Sequence, residues 1–144
     1  MIVYTGGTFD LFHSGHVRLL KKCRDLAGED GQVVVSVNPS EFVSAYKEPP
    51  ICDLMERMEV VASCKWVDKV IINIGEADSK PAILETKPDL IVVGSDWANK
   101  DYHKQMGFTQ KWLDEHNIKV VFVSYTEDIS TTILKSRILD RMFQ

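Results

Sequence analysis

Two histidines three positions apart close the stretch Gly6-Gly7-Thr8-Phe9-Asp10-Leu11-Phe12-His13-Ser14-Gly15-His16. A short apolar run precedes it and a segment with helical spacing follows it, so it reads as a strand exit feeding a helix. On a first helical turn, a spacing of three sets His13 and His16 on one side. Gly15 lets backbone and ligand approach closely. A helix N-terminus offers unpaired N–H groups and the positive end of the dipole, both of which attract phosphate. Two imidazoles there can donate hydrogen bonds to a phosphoryl group as charge builds on its oxygens. A lone histidine is commonly a packed or solvated ring. The pair, with its glycine at a strand exit, points to phosphoryl chemistry instead. Neither G-x-G-x-x-G nor Gly-Lys-Ser/Thr is present, which sets aside the dinucleotide fingerprint and the P-loop. H-x-x-H with Cys23 seven residues on matches no common zinc spacing.

Other residues suit the same chemistry. Ser130 reads as a helix N-cap, and the hydroxyls of Ser130-Thr131-Thr132 at that helix start make a phosphate site. Lys47 stands before Pro49-Pro50 in a long irregular stretch. Arg57 reads either as a substrate ligand or as a helix-surface partner of Asp53. Asp10 and Asp96 follow strands and are also good turn formers. Arg18, Lys21 and Lys22 read as the solvated face of the first helix, and Trp66 as packing or a dimer contact.

These residues need a scaffold, and the chain supplies one. Short β-branched apolar runs recur at 2–5, 32–37, 67–73, 90–93 and 119–124, and four of the five are near-continuous Val/Ile, as strands buried on both faces are. Helical spacing occupies 16–26, 52–64, 82–85, 109–116 and 130–142. Alternation of strand and helix predicts a doubly wound α/β sheet with helices on both faces. Ligands bind such sheets beyond the strand C-termini, where the histidine stretch falls. Residues 38–51 and 96–108 read as irregular, and loops that long are often functional.

At 144 residues, the chain is read as one domain, 1–144. Apolar residues make up 44% and charged residues 26%, a globular composition that excludes a disordered tail or collagen-like repeat. The net charge of −4 argues against a non-specific nucleic-acid binder but not against a small anionic substrate. Three cysteines (Cys23, Cys52 and Cys64) read as free thiols. With no signal peptide and no apolar run of membrane-spanning length, a cytoplasmic protein is expected.

On these motifs the chain resembles the cytidylyltransferase-like nucleotidyltransferase superfamily, whose hallmark is H-x-G-H. The run Ala45-Tyr46-Lys47-Glu48-Pro49-Pro50, then Glu56-Arg57, then Lys65-Trp66-Val67-Asp68 is similar to that of choline- and ethanolamine-phosphate cytidylyltransferases. Gly94-Ser95-Asp96-Trp97 and Thr126-Glu127-Asp128-Ile129-Ser130-Thr131-Thr132 resemble segments of the glycerol-3-phosphate enzymes. The likeness covers nearly the whole chain. It implies a five-stranded parallel sheet in order 3-2-1-4-5 and a homodimer. It also implies attack by a phosphomonoester on the α-phosphorus of a nucleoside triphosphate, with pyrophosphate released. The triphosphate is expected to be CTP and to carry Mg²⁺; the acceptor is a small phosphorylated alcohol or sugar such as glycerol 3-phosphate. His13, His16 and Lys47 become the catalytic residues. Thr8, Phe9, His13, Gly15, His16, Gly94, Asp96, Thr126, Ile129, Ser130, Thr131 and Thr132 become the nucleotide site. Asp10, Lys47, Arg57 and Trp97 become the acceptor site.

Three positions depart from the family pattern. Tyr125 replaces an Arg, Asp128 a Gly and Ser40 an Asp. Tyr cannot replace the fork of donors that Arg offers, and Lys135 and Arg137 stand near enough in sequence to substitute for its charge. An adenylyltransferase of the same superfamily, with FMN or a heptose phosphate as acceptor, is the rival enzyme. A catalytically silent nucleotide-binding domain is the rival of a different class.

Overall fold

The computed structural model describes residues 1–94, 102–124 and 128–144. Five strands, β1 (Ile2–Gly7), β2 (Gln32–Val37), β3 (Lys69–Ile72), β4 (Leu90–Gly94) and β5 (Lys119–Val123), form one sheet in order β3-β2-β1-β4-β5. Every pairing is parallel. The architecture is therefore the α/β, Rossmann-like sheet with the expected strand order.

The continuous Val/Ile runs serve two cores at once, because successive side chains point to opposite faces. Val3, Val33, Val35, Val37 and Val92 pack with Leu20, Cys23 and Val61 on one face. Tyr4, Val34, Ile71, Ile91 and Val93 pack with Ile83, Phe108 and Leu113 on the other. β3 and β5 lie at the edges and keep partial exposure along most of their length. Their composition does not announce this, because β-branched residues suit edge and centre alike.

Seven helices are described: α1 (Ser14–Ala27), α2 (Ser40–Ser44), α3 (Leu54–Ala62), α4 (Lys80–Thr86), α5 (Tyr102–Met106), α6 (Gln110–Glu115) and α7 (Thr131–Met142). Capping explains most of their limits. Asp53 and Glu56 form a reciprocal capping box on α3. Thr109 and Ser130 cap α6 and α7 through their hydroxyls. Gly28, with φ of 79°, follows α1. α4 starts two residues before the expected Ala82, because Pro81 suits a first turn. α2 and α5 fall inside stretches that read as irregular; five residues are too few to show a period. Among the described residues, no helix is long and apolar enough to cross a membrane.

Candidate active site

The loop joining β1 to α1 is held in an unusual backbone shape. Phe9 and Leu11 both adopt left-handed conformations, with φ of 55° and 48°. Such residues cost about 1–3 kcal/mol each and persist only when their surroundings fix them. Here Phe9 is buried in the core below the loop. Asp10 is buried too, and its two carboxylate oxygens accept the backbone N–H groups of Ile51 (2.8 Å) and Cys52 (2.9 Å). Asp10 thus ties the β1–α1 loop to the segment that carries Lys47.

His13 is the N-cap of α1. Its Nδ1 accepts the N–H of Gly15 at 3.0 Å, and His16 Nδ1 accepts the N–H of His13 at 3.1 Å. A backbone N–H can only donate, so neither Nδ1 carries a proton. Each neutral ring therefore holds its proton on Nε2, where it is a donor. The rings stack, with centroids 3.9 Å apart. Burial lowers the pKa of His13. Burial, aided by His13 and opposed by Asp10, pushes His16 down to about 4. The pair acts at neutral pH as two uncharged Nε2–H donors.

Gly15 has a steric reason. A Cβ there would lie 2.8 Å from His13 Cε1 and 3.3 Å from Ile129 Cγ2. The capping ring and the chain before α7 both close over this position.

The facing wall is the start of α7. Ser130 Oγ accepts the N–H of Ile133 at 3.1 Å. Thr131 Oγ1 donates to the carbonyl of Asp10 at 3.1 Å, joining the two walls. At the outer rim, Arg18 reaches Asp128 at 3.2 Å, both side chains being exposed.

Two clefts open at the strand C-termini. One, of about 550 Å³, lies between α1 and the β5–α7 connection and is lined by His13, Gly15, His16, Ile129 and Ser130. Arg18, Lys21 and Lys22 border it as well, so this charged face of α1 does more than meet solvent. The other, of about 590 Å³, is lined by Thr8, Phe9, Asp10, Lys47, Thr132 and Lys135. His16, Leu19, Gly94 and Thr131 line both. The clefts therefore meet at His16, with His13 lining the first of them.

Most of the expected site residues come together in this way. Arg57 does not. It is 2% exposed, and four hydrogen bonds tie its guanidinium to the protein. Nε donates to Cys52 O at 3.0 Å, Nη1 to Thr8 O and Asn38 O at 2.8 Å each, and Nη2 to Ser40 Oγ at 3.0 Å. Arg57 clasps three loops from behind and does not pair with Asp53, which caps α3. Trp66 packs partly buried against the core, with Lys65 Nζ 4.5 Å from its ring centroid. Asp96, Trp97, Tyr125 and Thr126 lie outside the described residues. Sequence reasoning missed the strained pair Phe9 and Leu11, and nothing in their side-chain types signals it. Among the described residues, no group of three His, Cys, Asp or Glu side chains is placed to hold a metal ion.

The family model described as cytidylyltransferase-like matches residues 4–137. The chain is 33% identical over 145 residues to an FAD synthase of Korarchaeum cryptofilum, covering 95% of this chain and 90% of that one. It is 31% identical over 137 residues to a glycerol-3-phosphate cytidylyltransferase of Bacillus subtilis, covering 94% and 95%. Among solved structures, a lipopolysaccharide core biosynthesis protein from Thermoplasma volcanium GSS1 matches with a TM-score of 0.69 at 28% identity, over 88% of this chain and 96% of that chain.

Proposed function

The chain belongs to the cytidylyltransferase-like family of nucleotidyltransferases, and we propose that it joins CTP to a small phosphorylated alcohol or sugar, giving a CDP-linked product and pyrophosphate. The observation that carries this reading is the meeting of two clefts at His16, whose neutral ring stacks on that of His13 in the first cleft. The triphosphate occupies the cleft between α1 and α7, with the N–H groups at both helix starts directed to its phosphates. The acceptor occupies the cleft lined by Lys47. One oxygen of its phosphate attacks the α-phosphorus in line. A new P–O bond forms there as the bond to the bridging α–β oxygen breaks, and pyrophosphate leaves with that electron pair.

The nucleophile is already an anion near neutral pH, so no general base is required. Catalysis is positioning and charge stabilisation. His13 and His16 hydrogen-bond the non-bridging α-oxygens, most strongly when charge builds on them. Neutral donors suit this task, since they stabilise developing charge without neutralising the attacking anion. Asp10 and Arg57 act at one remove by fixing the loops that carry these groups. Mg²⁺ fits as a companion of the triphosphate rather than as a protein-held ion: no metal cage exists among the described residues, and both Asp10 oxygens are taken. When bound, it neutralises phosphate charge.

CTP is favoured by the resemblance of the Gly94–Trp97 and Thr126–Thr132 segments, and by the near end-to-end match to the glycerol-3-phosphate enzyme. ATP with an FMN acceptor is the second reading, favoured by the FAD synthase match over 95% of the chain. A homodimer remains part of the proposal, and sedimentation tests it. The decisive assay is pyrophosphate release from each of the four nucleoside triphosphates, run against phosphorylated alcohols, sugars and FMN. CTP should lead; a preference for ATP of tenfold or more in kcat/KM would replace the cytidylyl reading with the adenylyl one.

A further inference from the structure

The cleft that holds Lys47 contains a second cation that the chemistry above does not use. Lys135 stands four residues after Thr131 on α7, so both lie on one side of the helix. Thr131, Thr132 and Lys135 line the same cleft as Asp10 and Lys47. The Lys135 side chain is 32% exposed, and its ammonium lies 3.8 Å from the carboxylate of Glu48, which is 87% exposed.

Two ammonium groups thus share one cleft. Burial lowers the pKa of Lys47 first, and Lys135 lowers it further, against the opposing effect of Asp10. Like charges gathered in a partly desolvated space are unfavourable until an anion joins them. Asp10 does not fill that role, since its two oxygens already accept from Ile51 and Cys52. Glu48 fills it weakly: its side chain is almost fully solvated and its contact is long. Exposed ion pairs of this kind are easily given up.

We propose that Lys135 and Lys47 together bind the acceptor's phosphate as a dianion, and that Glu48 leaves Lys135 when that dianion arrives. The inference rests on the nucleotidyl-transfer reading and adds to it the charge class of the acceptor. One lysine matches a monoanion. Two lysines beside the start of α7 match the two charges of a phosphomonoester and disfavour carboxylates, sulfate esters and phosphodiesters. Glu48 then serves as a stand-in anion that sets a threshold for binding.

Equilibrium binding by calorimetry tests this without turnover. The probes are glycerol 3-phosphate, FMN, the methyl diester of glycerol 3-phosphate, and CTP. The proteins are the unaltered chain, Lys135→Met and Glu48→Gln; both substitutions sit at solvent-accessible positions and keep good helix or loop residues. At least one phosphomonoester should bind the unaltered chain ten times or more tighter than the diester does. Lys135→Met should collapse that ratio to within about threefold, and weaken the monoester several times more than it weakens CTP. Glu48→Gln should tighten the monoester by twofold or more. A Lys135→Met variant that weakens CTP as much as the monoester, or that keeps the monoester-to-diester ratio, overturns the assignment. So does a Glu48→Gln variant with unaltered monoester affinity. If CTP binds and neither phosphomonoester does, the acceptor reading itself falls and takes the inference with it.

Discussion

His16 Nδ1 accepts the backbone N–H of His13 at 3.1 Å while the two rings stack at 3.9 Å. The same bond that starts α1 also leaves Nε2 as the donor nitrogen of the neutral His16 ring. In the proposed mechanism, folding and catalysis share that hydrogen bond.

Replacing either ring should cost turnover more than affinity. His13→Ala and His16→Ala are expected to lower kcat by about 10²–10³-fold, the size found for one donor to a developing oxyanion. Each also loses a helix-capping contact worth about 1 kcal/mol. Steady-state kinetics with nucleotide binding measured separately checks this. Near-full kcat with weakened CTP binding would remove the histidines from the transition state.

The low pKa of His16 has a signed consequence for stability. Above about pH 6.5 the ring is neutral both folded and unfolded, so pH has no effect through this group. As pH falls from about 6.5 towards 4, the unfolded chain takes up a proton that folded His16 refuses, and stability is lost. The loss levels off below about 4 and is at most about 3 kcal/mol. Thermal unfolding of the protein and of His16→Gln from pH 7.5 to 4 should show the gap between their melting temperatures shrink or reverse on acidification. A gap independent of pH would mean that His16 is not held neutral.

Gly15→Ala should behave against the usual rule. Alanine in place of a helical glycine ordinarily stabilises by about 1 kcal/mol. Here the new Cβ meets the His13 ring at 2.8 Å, so the cap must move. Lower stability and a kcat loss comparable to that of His13→Ala are expected. Wild-type activity with a raised Tm would show that the ring has room to spare.

Arg57→Ala should act through the fold. It strips donors from the carbonyls of Thr8, Asn38 and Cys52 around a site that is 2% exposed. Buried groups left unpaired cost about 1–3 kcal/mol each before relaxation. Denaturant unfolding should show a loss of several kcal/mol. Intact stability with a raised acceptor KM would instead make Arg57 a direct ligand.

The strands, the histidine pair and the Ser130 cap were legible because each has a local signature: β-branched runs, spacing of three beside a glycine, and a hydroxyl before a helical period; the order of the strands came with the family resemblance. What stayed hidden depends on distant partners. The left-handed turns at Phe9 and Leu11 flank Asp10, which is held by residues some 40 positions away. Arg57 looked like a ligand because charge suggests solvent or substrate, whereas its partners are carbonyls from three loops. The pairing of Lys135 with the Lys47 loop joins residues that only the sheet topology brings together. Tautomers also escape sequence, since a backbone N–H selects them.

In the proposed reaction His13 and His16 donate hydrogen bonds to a direct, single displacement at the α-phosphorus. The stereochemistry at that atom separates this route from one through a covalent intermediate. With a CTP analogue carrying sulfur at one α-oxygen and a phosphomonoester acceptor, a single in-line attack inverts the configuration of the product. Inversion is the predicted result. Retention would require two displacements, with a protein group such as a histidine nitrogen bonded to phosphorus in between, and would replace the two donors with a nucleophile.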